Sequence, residues 1–183
     1  MGGLRTPLPV QLIAGLIAHP AEGFDRARAA LSDAWGPVDM ESPVWPFDFT
    51  DYYEDEMGAG LLRQFVAFER LIPPDGLHRS KLLSNDIEAR IAADSPSGVA
   101  RPVNIDPGYL CHSKLVLFST KDFSHRIYIA DSIFAEITLV YSGNAFATHP
   151  WTFPDYKTEQ YRNFFALVRS AYVRKLGLYE SSA

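Results

Sequence analysis

The chain has 183 residues, 47% hydrophobic and 13% aromatic, which is enough apolar material for one ordinary domain and too short for two full ones. Its formal net charge of -5 argues against a broad cationic surface of the kind that binds nucleic-acid backbones without sequence preference. Cys111 is the single cysteine, which excludes an intramolecular disulfide and a cysteine-rich zinc site and favours a reducing, cytoplasmic compartment.

The first predicted element is a strand. An apolar run from Leu8 to Ala18 is continuous and bounded by prolines, which is typical of a strand covered on both faces. Pro9 and Gln11 do not suit the apolar stretch of a signal peptide, and a helical pattern follows the run, so a strand is favoured. The run is also shorter than the ~20 apolar residues of a membrane span, so no membrane association is expected.

A helix should come next. Phe24, Leu31 and Trp35 recur at helical spacing, and Gly36 stands where this helix is expected to end. Residues 37–49 then contain three prolines and no helical stripe, which predicts an irregular or edge strand that leads into an acidic loop.

The middle of the chain predicts a strand, a helix and a further strand. Residues 61–72 fit a strand or a helix, with a strand slightly preferred. After a turn rich in proline and glycine, residues 82–93 carry apolar side chains at helical spacing, and residues 103–105 form a short strand candidate. The order strand, helix, strand, strand, helix, strand is that of a ferredoxin-like split βαβ unit.

The segment that follows has two interpretations. Asp106-Pro107 resembles a helix cap followed by a first-turn proline, whereas residues 115–118 resemble a buried strand, so residues 107–120 stay open between helix and strand. Residues 125–141 are clearer, because two β-rich runs flank Asp131-Ser132 and predict a hairpin.

A final helix is expected after Asp155, with a buried aromatic stripe and with Gly177 at its C-terminal end. Together the elements predict an α+β protein, built from a ferredoxin-like split βαβ unit that is extended by a C-terminal β-hairpin and a terminal helix. We expect a single domain over residues 1–183, with its core at about residues 8–176.

Four longer phrases carry a family resemblance. They are FDFTDYY (47–53), NIDPGYL (104–110), STKDFSHRIY (119–128) and WTFPDY (151–156). Through them the chain, from about Pro9 to Leu176, resembles the bacterial domain-of-unknown-function family 4416. The resemblance implies a cytoplasmic prokaryotic protein, but it implies no activity and no catalytic residues.

The strongest candidate site is a polar stretch that combines both charge signs with an imidazole. Its members are Asp106, Lys114, Lys121, Asp122, His125, Arg126, Asp131 and Glu136. His125 and Glu136 are the candidate catalytic pair, and the candidate ligand-binding residues are Asp106, Lys114, Lys121, Asp122 and Arg126. Ordinary ion pairs and a solvated loop are the alternative interpretation, since ion-pair networks resemble active sites.

The predicted hairpin brings the catalytic pair together. A two-residue turn at Asp131–Ser132 would pair Ile127 with Glu136 and His125 with Thr138. His125 and Glu136 are then diagonal neighbours on one face, with backbones ~7–8 Å apart and side chains within reach. A general base and its orienting carboxylate need this geometry.

Lys114 and Arg126 are alternative sources of positive charge beside His125, because only one of them can share its face of the sheet. If the segment that begins at Lys114 is a strand beside the hairpin, Lys114 lies opposite Asp131 and shares the face of His125, whereas Arg126 lies on the other face. If a helix begins at Pro107 instead, its N-terminal amides face an anion. The two folds predict different sites.

A second cluster is acidic. Asp48, Asp51 and Glu54 are candidate oxygen ligands for Mg²⁺ or Ca²⁺, interleaved with aromatic residues. Their spacing is not that of an EF-hand loop, so an acidic surface loop anchored by its aromatic residues is favoured and no metal site is assigned.

Two functions fit these features. The first is binding or conversion of a small anionic metabolite, with Lys114, Lys121 and Arg126 supplying positive charge. The second is a noncatalytic module for partner binding or homo-oligomer formation through exposed aromatic residues, namely Trp45, Tyr52, Tyr53, Trp151 and Tyr156. RNA binding on an open sheet is least favoured because the chain is acidic. No sequence motif identifies a cofactor.

Overall fold

The computed structural model describes residues 3–19, 21–95 and 99–182. Within these ranges, nine strands form one antiparallel sheet that four α-helices accompany. In chain order the elements are β1 (Val10–Ala18), α1 (Ala21–Trp35), β2 (Val38–Glu41), β3 (Trp45–Pro46), α2 (Glu54–Met57), β4 (Leu62–Ile72), α3 (Arg79–Ala93), β5 (Val103–Leu110), β6 (Lys114–Ser119), β7 (Ile127–Ala130), β8 (Ile133–Ser142), β9 (Ala145–Thr148) and α4 (Glu159–Ser182). This mixture confirms the α+β class.

The sheet is ordered β2-β4-β1-β5-β6-β8-β7, with β3 beside β4 and β9 beside β8. The apolar run at the N-terminus is β1, whose nine residues are all buried. It lies between β4 and β5 and pairs with both along its length. The preference for a strand at residues 61–72 is also confirmed, since β4 occupies them.

Helices cover the two faces of the sheet. Alternate residues of β1 point to opposite faces. Leu12, Ala14 and Leu16 pack in the cluster formed by α1 and α3, whereas Ile13 packs with the aromatic residues of α4. Buried apolar side chains extend along the chain from Val10 to Leu176.

The helical interpretation of residues 107–120 is wrong. Residues 103–110 form β5 and residues 114–119 form β6, so Asp106 lies within a strand and caps no helix. The reason is long-range pairing: Asp106 lies opposite Gly15 of β1, and Leu117 lies opposite Glu136 of β8.

The hairpin of β7 and β8 turns at the predicted residues, but its register differs from the prediction. Asp131 and Ser132 both have positive φ, 52° and 61°, as a tight two-residue hairpin turn requires. A register shift near Ile129 places Ile127 opposite Ala135, so the predicted pairing of Ile127 with Glu136 is wrong. One extra residue in a strand has this effect.

The expected end of the last helix is also wrong, because α4 continues through Gly177 to Ser182. Glycine in a helix interior is less favourable than alanine by roughly 1 kcal/mol, which tertiary packing readily offsets. Tyr172 and Leu176, which precede this glycine in the helix, are buried in the α4 cluster.

Candidate functional site

The sheet is incompletely paired between β5 and β6. These strands are hydrogen-bonded only near their connection, where Gly108–Leu110 pairs with Leu115–Leu117. On its other edge β5 pairs with β1 over its whole length. Within the part of the chain that the structure describes, residues 103–107 therefore have no strand on one side.

Side chains of α3 take the place of the missing strand. The Lys81 ammonium donates to the Ile105 carbonyl at 2.8 Å, and the Glu88 carboxylate accepts from the Ile105 N–H at 2.7 Å. Burial raises the pKa of Glu88 above its ordinary value, although Lys81 and Arg101 oppose the effect. The backbone N–H and carbonyl of Ile105 thus both have hydrogen-bond partners without a neighbouring strand. Buried backbone groups require such partners.

A cavity of about 590 Å³ adjoins this edge. Its volume is in the usual range for small-molecule sites, ~300–1,000 Å³. Its charged lining residues are Arg63, Lys81, Arg101, Lys121 and Arg126 with Glu56, Asp106, Glu136 and Asp155. Positive side chains exceed carboxylates by one, and aromatic rings from the 47–53 loop, β6 and the segment before α4 form much of the wall.

Arg63 is the most enclosed cation of the cavity. Its guanidinium carbon lies 5.1, 5.2 and 5.6 Å from the ring centroids of Phe47, Phe65 and Tyr156. One nitrogen, Nη2, donates to Asp155 at 2.8 Å. Its Nε and Nη1 are buried and donate to no side chain or backbone group in the described residues. Buried donors normally have partners, so these two nitrogens retain hydrogen-bonding capacity.

Asp106 links Arg63 to α3. One carboxylate oxygen lies 3.7 Å from Arg63 Nη1 and the other 3.6 Å from Lys81 Nζ, while Asn104 donates at 2.7 Å. Burial alone would raise the pKa of Asp106, but Lys81, Arg63 and the Asn104 hydrogen bond lower it below its ordinary value. Asp106 is therefore ionised at neutral pH.

Tyr156 supplies a neutral donor in the same region. Burial raises the pKa of Tyr156 well above its ordinary value, and nearby Arg63 lowers it by less. Its buried hydroxyl makes no hydrogen bond to the residues that the structure describes. We call Arg63, Lys81, Asp106, Asp155 and Tyr156 the Arg63 cluster.

A second cluster surrounds Glu136 on β8, whose side chain is 1% exposed. One carboxylate oxygen accepts from Arg126 Nε at 2.8 Å and contacts His125 Nε2 at 3.1 Å. The other accepts from the Thr138 hydroxyl at 3.1 Å. Three neighbours thus fix the carboxylate in one orientation.

Arg126 continues this network to the cavity mouth. Its Nη1 donates to the Ser119 hydroxyl at 2.9 Å and to the Lys121 carbonyl at 3.0 Å. Lys121 is exposed, donates to the Tyr52 hydroxyl, and holds its ammonium 4.2 Å from the centre of the Tyr52 ring. We call Ser119, Lys121, Arg126 and Glu136 the Arg126 cluster.

The predicted contact between His125 and Glu136 is present, but the strand geometry that predicted it is wrong. Residues 123–126 form a turn before β7, closed by the Arg126 N–H donating to Phe123 at 2.9 Å. His125 and Arg126 therefore reach the same carboxylate instead of lying on opposite faces. The imidazole stacks between Phe123 and Trp151, at 6.0 and 5.5 Å, and does not line the cavity.

Three members of the predicted stretch lie elsewhere. Lys114 pairs with Val140 at the far end of β6, about 17 Å along the strand from Ser119. It does not lie opposite Asp131, because β8 separates β6 from β7. Asp131 instead contacts His78 at 2.9 Å, and Asp122 is exposed and outside the cavity lining.

The acidic loop contains Asp48, Asp51 and Glu54, and all three are exposed. In the described ranges, no group of three or more His, Cys, Asp or Glu side chains is arranged to hold a metal ion.

The aromatic residues of the interaction hypothesis differ in their exposure to solvent. Tyr156 is 1% exposed, so its assignment as an exposed residue is wrong. Trp45 packs 4.9 Å from Tyr161, whereas Tyr52 and Trp151 are exposed.

Sequence reasoning missed the Arg63 cluster except for Asp106. Arg63 and Asp155 are 92 residues apart, and Lys81 lies on a helix that precedes the polar stretch in the chain. One signal was available: Arg63 lies close to the apolar run Phe65–Phe68 of a predicted strand, and a charge is rarely buried unless it is paired.

The fold and the cavity together define an α+β protein with an open antiparallel sheet and a polar cavity beside a partly unpaired strand. The chain belongs to the family DUF4416, a domain of unknown function, whose family model matches residues 8–172. The resemblance inferred from the sequence is thereby confirmed. Comparisons with curated proteins and with solved structures gave no match. Among the described helices, none combines the length and the apolar character needed to cross a bilayer.

Proposed function

We propose that this protein binds a small anionic molecule in the cavity between the Arg63 and Arg126 clusters. The observation that carries the proposal is a pair of cations in the cavity lining, Lys121 and Arg126, that face the single carboxylate of Glu136. This local excess of positive charge supports an anion over a cation.

Two further proposals concern the setting of this site. The first six core elements, β1, α1, β2, β4, α3 and β5, with the sheet order β2-β4-β1-β5, support a ferredoxin-like split βαβ unit within a single domain. The single Cys111 supports a reducing, cytoplasmic location.

We favour binding over conversion. Lys121 and Arg126 offer positive charge to the ligand, and Glu136 holds Arg126 in place. His125 contacts Glu136 from outside the cavity, which supports a positioning role for the imidazole. A catalytic role for this pair would require proton transfer through Glu136, because it lines the cavity and His125 does not.

The test compares anions with neutral analogues in the full-length protein. Thermal shift and calorimetry should detect binding of phosphorylated or carboxylated metabolites, and binding should weaken as salt concentration rises. Lys121→Ala should weaken it several-fold, because this exposed lysine lines the cavity. Lys114→Ala is the matched control and should leave binding unchanged. If neutral analogues bind as well as the anions, or if no compound binds, the proposal fails.

A further inference from the structure

We infer that the ligand is a polyol bearing one anionic group, such as a sugar phosphate or a sugar acid, with its anion at the Arg126 cluster and its hydroxyls at the Arg63 cluster. The inference rests on the proposed function and specifies the ligand class of the same cavity.

The charge balance differs between the two clusters. In the Arg126 cluster, Lys121 and Arg126 face the single carboxylate Glu136, which leaves one positive charge. The hydroxyls of Ser119 and Thr120 line the same end of the cavity. Positive charge beside hydroxyl donors suits a phosphate or carboxylate group.

The Arg63 cluster is instead electrically balanced. Arg63 and Lys81 face Asp106 and Asp155, with separations of 2.8 Å for Arg63–Asp155 and 3.6 Å for Lys81–Asp106. A second anion here would meet two carboxylates, so this end favours an uncharged polar group.

The donors and acceptors of this end suit hydroxyl groups. The Arg63 guanidinium and the Tyr156 hydroxyl are donors at this end, and the Asp106 carboxylate can accept from a hydroxyl. Asn85 lines the cavity from α3, one turn beyond Lys81, and its amide offers both a donor and an acceptor. A polyol both donates and accepts, which matches this mixed set.

The dimensions and walls agree with a ligand larger than a bare anion. Arg63 on β4 and Glu136 on β8 are four strand spacings apart, about 19 Å between backbones. Side chains shorten this distance, and a ligand longer than one phosphate ion suits two clusters on strands so far apart. The rings of Phe47, Tyr53 and Phe118 line the space between, and they can pack against the C–H face of a sugar.

Calorimetry on the full-length protein tests the inference with matched probes. These are glycerol phosphate, ribose phosphate and glucose phosphate, the free polyols, gluconate and inorganic phosphate. At least one polyol anion should bind about tenfold or more tightly than inorganic phosphate. Asn85→Ala should remove most of this advantage and leave the binding of inorganic phosphate unchanged. Lys121→Ala should weaken the binding of both the polyol anion and inorganic phosphate. Lys114→Ala should weaken the binding of neither.

The outcomes separate the inference from the function on which it rests. If inorganic phosphate binds as tightly as every polyol anion, or Asn85→Ala weakens all anions equally, the polyol assignment is overturned while anion binding stands. If none of the anions binds, both fail. Preference for gluconate over the phosphates would support the inference with a carboxylate as its anionic group. Thermal unfolding of each variant confirms that it is folded before titration.

Discussion

Individual residues in the cavity carry charges that are buried and mutually compensated. Removing one member of a buried ion pair leaves the other uncompensated, and such changes destabilise proteins far more than the intact pair stabilises them. Glu136 is the clearest case, because its carboxylate contacts Arg126, His125 and Thr138.

We expect Glu136→Gln to lower the free energy of unfolding by about 3–5 kcal/mol, because Arg126 then remains buried without a counter-ion. Urea unfolding at neutral pH measures the change. Glu69→Gln is the control on an exposed residue of β4 and should stay within about 0.5 kcal/mol of the parent protein. Equal stability of the Glu136 variant and the parent would contradict a compensating ion pair.

Asp106 should make the stability depend on pH at acidic values. Its pKa is lowered in the folded state, so its stabilising contribution is complete above the ordinary carboxyl pKa, about 4, and is lost as the pH falls through the folded-state value. Asp106→Asn should therefore destabilise the protein at neutral pH and differ less from the parent near about pH 3.

Urea unfolding of both proteins at the two pH values gives this difference. Carboxyl groups that both proteins share cancel in the comparison. Asp122→Asn, which changes an exposed aspartate outside the cavity, should show no difference at either pH. A gap between Asp106→Asn and the parent that grows on acidification would contradict the assignment.

Gly15 determines where Arg63 can lie. A Cβ atom at residue 15 would be 2.8 Å from Arg63 Nη1 and 3.1 Å from the Phe65 ring. We expect Gly15→Ala to destabilise the protein by about 1–3 kcal/mol, the usual range for overpacking. Gly177→Ala should instead stabilise it by roughly 1 kcal/mol, since the added methyl enters open space on a helix. Urea unfolding checks both, and stabilisation by Gly15→Ala would show that Arg63 does not need this space.

Among the elements, those with a strong local pattern could be predicted and the others could not. The continuous apolar run gave β1, and helical spacing gave α1 and α3, because each pattern is complete within one segment. β5 was ambiguous, because Asp106-Pro107 resembles a helix start while its strand conformation depends on pairing with β1. The sequence around residues 103–110 does not reveal that β1 will pair with this segment.

The candidate site likewise contains residues that could be predicted from a local pattern and residues that could not. His125 and Glu136 lie within a short stretch, so a hairpin argument could bring them together even with the wrong register. Arg63 and Asp155 are 92 residues apart, and their contact depends on how the segment before α4 packs against β4. Residues that depend on distant packing leave no periodic signal in the sequence.

The hairpin of β7 and β8 offers a test at the level of the element. Ser132 has φ +61° in the turn, a conformation that glycine adopts without steric strain. Ser132→Gly should therefore stabilise the protein by about 0.5–1 kcal/mol, since Asp-Gly suits this type of turn. Asp131 should be kept, because it contacts His78. A loss of stability measured by thermal unfolding would contradict the turn geometry.

At the scale of the whole molecule, stability should decrease from the centre of the sheet to its edge. β1 is buried throughout and paired on both sides, whereas β7 is at the end of the sheet with Ile127, Tyr128 and Ile129 exposed. Local opening requires little free energy where few buried contacts are lost.

Native-state hydrogen exchange should therefore separate the two strands. Amides of β1 should exchange only through global unfolding, so that their opening free energy equals that from urea unfolding. Amides of β7 should exchange through local opening with a much smaller free energy. The Ile105 amide should be protected although no described strand pairs with it on that side, because it donates to Glu88. Glu88→Ala should accelerate exchange at Ile105 more than its effect on global stability explains, and equal acceleration at Ile105 and in β1 would refute the idea that α3 replaces a strand at this edge.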